Sequence, residues 1–164
     1  MRGYLLDTNV LGEFLSKEKG VYERFAKLPE RAPVNISSIT LGEIEFGHRF
    51  ESPDDYTDIQ IKYREIIFKR FPSPIHVTEA TAVVYGELRA KLFLEYVPNE
   101  KKKKARWTKQ LQDPATDDEI GIQENDIWIA AQALERKLIL VSHDKHMRKI
   151  KDVEEKLLLE DWAD

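Results

Sequence analysis

Cysteine is absent from the 164-residue chain, which excludes disulfides and thiolate metal ligands together. Long apolar runs are absent as well. Only Tyr4-Leu5-Leu6 precedes Asp7 near the N-terminus, whereas a secretory core needs roughly 7–15 apolar residues. No stretch approaches the ~18 apolar residues of a membrane span. These absences predict a cytoplasmic protein with no membrane partner. An overall positive charge is also lacking: the net charge is −4, which on its own argues against a polyanionic partner.

What is present is 41% hydrophobic and 34% charged, the composition of a soluble globular chain. The length predicts one domain over 1–164. Charge is unevenly spread. Residues 100–110 carry Lys101, Lys102, Lys103, Lys104, Arg106 and Lys109 against Glu100. An acidic body with one basic arm suits a cation-binding site served by a phosphate-attracting segment, although a solvated surface loop carries the same signature.

Hydrophobic periodicity divides the rest. Gly3–Leu6 is a short apolar strand, and Val10, Leu11, Phe14 and Leu15 recur at helical spacing after it. A helix is expected over Val21–Leu28, a strand over Val34–Ser37, and a helix carrying Ile39, Leu41, Ile44 and Phe46. Residues 56–70 read as an amphipathic helix ended by Pro72 and Pro74. Ile75–Val77 reads as a third strand, and Thr78 as the cap of a helix from Glu79 to about Tyr96. The rhythm fails over 97–121, which predicts an insertion within the domain. It resumes with a helix through Ile127–Leu134, a strand at Leu138–Val141, a helix at Lys145–Ile150 and a strand at Leu157–Leu159. Strands alternating with helices imply βαβ units in a parallel sheet. Sites in such sheets form beyond the carboxyl ends of the strands.

Asp7 and Asp144 fall just there, Glu43 lies one or two turns into the helix after the second strand, and Asp126 opens the helix before the fourth. Each has an ordinary structural reading. Asp7, Asp126 and Asp144 each stand where a helix cap is expected, and Thr40-Leu41-Gly42-Glu43 matches a capping box. Topology, however, gathers all four near one sheet edge. At ~5 Å and an effective dielectric near 20, each pair of carboxylates repels by roughly 3 kcal/mol. A bound cation or protonation relieves such a cluster. Hard oxygen ligands without cysteine favour Mg2+ or Mn2+ over Zn2+, and His143 and His146 lack a third nitrogen or sulfur ligand beside them.

The runs carrying these acids resemble a known family. YLLDTNVLGEF (4–14), ISSITLGEIEFG (36–47), IGIQENDIWIAAQAL (120–134) and LILVSHDKHM (138–147) are similar, in that order, to the four acidic motifs of PIN-domain proteins, above all VapC-type toxins. LEDW (159–162) adds to the likeness. The resemblance implies an α/β fold, a Rossmann-like parallel sheet flanked by helices, with an inserted basic segment near 97–121. It implies Asp7, Glu43, Asp126 and Asp144 as the catalytic, metal-binding quartet, with Asn9 and Ser142 as polar helpers. It further implies Mg2+- or Mn2+-dependent hydrolysis of RNA, a cognate antitoxin as partner, and a homodimer. The chain departs from the family in the length of its 97–119 stretch and in His143, where Asn or Arg is more usual. Lys101, Lys102, Lys103, Lys104, Arg106 and Lys109, with Trp107 for base stacking, are the expected RNA-gripping residues. Two other readings fit the same motifs: a non-catalytic PIN-like module that binds RNA or protein, and a housekeeping nuclease without antitoxin.

Overall fold

The computed structural model describes residues 2–51, 56–96 and 122–163. The expected insertion at 97–121, with Lys101–Lys104, Arg106, Trp107 and Lys109, lies outside the described residues.

The sheet starts from three-residue apolar strands. β1 (Tyr4–Leu6) lies between β2 (Val34–Ile36) and β3 (Ile139–Val141), and β4 (Leu158–Glu160) follows β3. All pairings are parallel, in the order β2-β1-β3-β4. Leu5 stands opposite Leu140 and Leu6 opposite Val141. Because side chains alternate along a strand, these two rows enter different cores. Leu5 and Leu140 pack with Leu88, Leu92, Ile129 and Met147 on one side. Leu6 and Val141 pack with Leu11, Ile36, Phe71 and Trp162 on the other. Coverage on both faces is what a parallel sheet requires, and it explains why the two central strands, β1 and β3, are apolar without alternation.

Seven helices supply that coverage among the described residues: α1 (Thr8–Ser16), α2 (Lys19–Ala26), α3 (Ser38–Glu51), α4 (Tyr56–Arg70), α5 (Glu79–Tyr96), α6 (Glu124–Arg136) and α7 (Lys145–Val153). Gly3 marks the tight entry to the sheet. A Cβ there would lie 2.9 Å from the Pro33 carbonyl, so the approach of β1 to the turn before β2 requires glycine. Trp162, buried near the chain's end, closes the second core against Tyr4 at 5.3 Å between ring centroids.

The α/β architecture and the order of elements match the expectation, with three local corrections. Ile75–Val77 is not a strand: Ile75 makes one isolated parallel bridge to Ser37. Its amide donates to the Ile36 carbonyl at 2.8 Å and its carbonyl accepts from Ser38 at 2.9 Å. Pro72 and Pro74, which lack amide donors, stop any longer ladder. The last strand is shifted by one residue from Leu157–Leu159. The Thr40–Glu43 capping box does not form. Ser37 instead accepts from the Ile39 amide at 2.9 Å, so Thr40 lies inside α3 and Glu43 is free to project from its second turn.

Candidate active site

The carboxyl ends of β1 and β3 are adjacent in the sheet; β1 runs directly into an acidic helix cap, and β3 reaches one after Ser142-His143. Asp7 is the N-cap of α1, accepting the Val10 amide at 2.8 Å. Its backbone is tied across the sheet, Asp7 N donating to the Val141 carbonyl at 3.1 Å. Asp144 is the N-cap of α7 and accepts the His146 amide at 2.8 Å. Asp126, in the first turn of α6, accepts the Gln123 amide at 3.2 Å. Asp7 and Asp144 are caps as expected, whereas the cap of α6 is Gln123 and Asp126 closes a capping box onto it; these roles coexist with convergence on one place.

Glu43 is held from two sides. The Thr8 hydroxyl donates to one of its oxygens and Asn125 Nδ2 to the other at 2.9 Å. These bonds join α1, α3 and α6 around a single carboxylate. In sequence Thr8 and Asn125 read only as cap neighbours; their adjacency to Asp7 and Asp126 is the signal that could have found them. A third such residue is Glu13, whose Oε1 lies 3.1 Å from His143 Nε2. That contact ties α1 to the loop between β3 and α7.

The acids act on one another electrostatically. Burial pushes the Asp7 carboxyl up to about 6; the Ser142 hydroxyl, the Val10 amide and His143 oppose the shift, and Asp144 adds to it. Burial likewise pushes Asp126 up to about 7, opposed by its backbone bond to Gln123 and reinforced by the charges of Asp144, Glu43 and Asp7. Asp7 is only 4% exposed. Desolvated carboxylates that repel one another favour either a proton or a cation between them. The donor set, carboxylate oxygens with neutral hydroxyl and amide groups around them, fits a hard divalent ion of the Mg2+ or Mn2+ type. Among the described residues no three His, Asp or Glu side chains are arranged as a ready metal cage. Thr8 and Asn125 engage both oxygens of Glu43, and Asp126 folds back on Gln123.

The two expected helpers differ. Ser142 is buried, bonded to Asp7 in its ionised form, and accepts the Asp144 amide at 3.1 Å. Asn9 is exposed on the first turn of α1, and the neighbouring Thr8 makes the bond to Glu43 in its place. Trp128 is half-buried and stacks on Tyr85 at 3.7 Å between ring centroids.

The sequence matches the PIN domain family over residues 4–153, and the chain belongs to that family. Among solved structures it is similar to a chain of VapBC-1 from nontypeable Haemophilus influenzae, at 26% identity and a TM-score of 0.67, with 98% of each chain covered. It is similar to a chain of VapBC2 from Rickettsia felis, solved with a DNA fragment from the promoter, at 24% identity and a TM-score of 0.66, over 97% of this chain and 98% of that one. DNA-bound VapBC from Salmonella typhimurium gives 22% identity and a TM-score of 0.65, over 99% of both. A comparison with curated protein sequences finds no significant match.

Proposed function

We propose that this chain is a divalent-metal-dependent endoribonuclease and the toxin of a toxin–antitoxin pair. On this reading its length is one PIN domain into which residues 97–121 are inserted. The observation that carries the proposal is the convergence of Asp7, Glu43, Asp126 and Asp144, from four separate segments, at one edge of a parallel sheet. Membership of the PIN family and likeness to VapBC chains support the assignment of nuclease and toxin.

Asp7, Glu43, Asp126 and Asp144 would hold Mg2+ or Mn2+. The bound ion would supply Lewis acidity, activating water against a phosphodiester and offsetting charge on the departing oxygen. The protein's own groups set the stage. Ser142 and His143 favour the ionised form of Asp7. Thr8 and Asn125 fix the direction of Glu43. The caps of α1 and α7 fix Asp7 and Asp144 to rigid helix starts, where a carboxylate is also favoured by the helix dipole. The test is cleavage of a fluorescent single-stranded RNA by purified protein with Mg2+ or Mn2+. Product formation that persists in excess EDTA overturns the metal-dependent reading. No cleavage of any RNA offered, with metal bound, would favour the non-catalytic module instead.

The antitoxin and the second copy of a homodimer are the expected cytoplasmic protein partners. An apolar surface suited to burial by another chain exists on α3, where Phe46 and Phe50 are 70% and 77% exposed and stack on each other at 5.9 Å. Expression in a host cell lacking an antitoxin separates a toxin from a housekeeping nuclease: growth arrest that Asp7→Asn relieves is the result expected of a toxin.

The basic arm supplies a further expected result. An acidic edge must still attract a polyanion, and Lys101–Lys104, Arg106 and Lys109 beside Trp107 would serve that need. Replacing Lys101–Lys104 with Ala should weaken RNA binding with little sequence preference. The logarithmic salt dependence should flatten by roughly 0.7 for each phosphate that the variant no longer neutralises. Binding measured from low to moderate salt checks this, and an unchanged slope would leave the arm as solvated surface.

A further inference from the structure

The opposite end of the sheet from the acids holds a second polar constellation. A pocket of about 350 Å3 opens at the amino ends of β1, β3 and β4. Its apolar floor includes Val84 of α5, Leu134 of α6, and Leu138 and Leu158 at the starts of β3 and β4. Its rim carries Arg2, Lys91, Lys137 and Lys156 against Glu87 and Glu154. The rim is thus net positive on a protein whose net charge is −4. Lys91 is committed to Glu154, and this pairing holds the Glu154 carboxyl below its usual range. Arg2 and Lys137 make no ion pair among the described residues, and Lys156 shares Glu154 with Lys91 only as a more distant charge.

We propose that this pocket binds a nucleoside monophosphate, the phosphate among Arg2, Lys137 and Lys156 and the base on the apolar floor. The volume falls at the lower end of the range for small-ligand sites. The combination of an apolar floor with an excess of cations on one rim suits a ligand that is flat and apolar at one end and dianionic at the other. An inorganic anion would leave the floor unused, and an uncharged base would leave the rim's excess positive charge unused. The proposal is independent of the chemistry at the acidic edge, because the site shares no residue with it.

Lys137 offers a clean variant. It occupies the left-handed C-cap of α6 at φ 56°, a position that glycine fills without strain. Lys137→Gly therefore removes the ammonium and keeps the cap. Calorimetric titration of the full chain in EDTA with 5′-AMP should show one saturable site. Adenosine and inorganic phosphate should each bind at least roughly tenfold more weakly, and Lys137→Gly combined with Lys156→Ala should weaken AMP by roughly tenfold or more. Asp126→Asn should leave AMP affinity unchanged. Circular dichroism checks that the double variant is folded, and Lys156→Glu alone provides a second loss variant. Absence of saturable AMP binding overturns the proposal. So does phosphate binding as tightly as AMP, binding unaffected by both variants, or binding lost in Asp126→Asn.

Discussion

Asp126→Asn should reduce RNA cleavage to below roughly one per cent of wild type while raising the Tm of the metal-free protein at pH 8. The two effects have one cause. Asp126 sits in the field of Asp144, Glu43 and Asp7, a cluster whose repulsion a cation would offset. Asparagine keeps an oxygen for the Gln123 amide but cannot carry the charge that holds the cation, so the catalytic loss is of the size seen when charge stabilisation is removed from a reacting phosphate or acyl group, or larger. Relieving the repulsion should stabilise the metal-free fold by about 2 kcal/mol, or roughly 4–8 °C in a chain of this size. Asp7→Asn should behave alike, because asparagine is as good an N-cap as aspartate and preserves the bond to Val10. Turnover and thermal melts on the same purified samples check both halves. Near-wild-type turnover in Asp7→Asn would remove that residue from the quartet.

Mg2+ or Mn2+ should raise the Tm at pH 8 and do so far less at pH 5.5. An ion that binds only the folded protein adds about 2.7 kcal/mol at a hundred times its Kd, roughly 5–10 °C here. Its ligands must first be deprotonated, and Asp7 and Asp126 are raised to about 6 and about 7. Those values also set the pH dependence without metal. Both lie above the ordinary value of 3.8, so between about pH 4 and 7 the folded protein binds more protons than the unfolded chain. The stability these groups contribute is present below about pH 4 and is lost as pH rises through 6 and 7. For Asp7 alone, nearly fully buried, the swing is about 3 kcal/mol. Denaturant melts in EDTA from pH 4.5 to 8 should show this decline, and Asp7→Asn should flatten it. Equal metal stabilisation at pH 5.5 and 8 would place the ion elsewhere.

The sequence by itself determined the class of fold and singled out the candidate acids. Short apolar strands alternating with helical periods specify a parallel sheet covered on both faces, because apolar residues on both faces of a strand must be buried on both. The carboxyl ends of such strands locate Asp7 and Asp144 without coordinates. Resemblance to four ordered motifs proposed Glu43 and Asp126, which topology brings near the same edge but not directly after a strand. Tertiary structure decided what local pattern could not. Thr40–Glu43 has the spacing of a capping box, but Ser37 takes the cap, since the crossing from β2 starts α3 earlier. Glu43 is thereby released to meet Thr8 and Asn125, partners 35 and 82 residues away in sequence. Ile75–Val77 has strand composition but lies at the sheet's edge beside two prolines, where one bridge is all the backbone can make. The raised pKa values of Asp7 and Asp126 were likewise invisible in sequence, because desolvation and mutual repulsion depend on how deeply the helices bury the sheet's edge. Local periodicity chooses the elements; long-range packing sets the dielectric and the distances on which the site's chemistry depends.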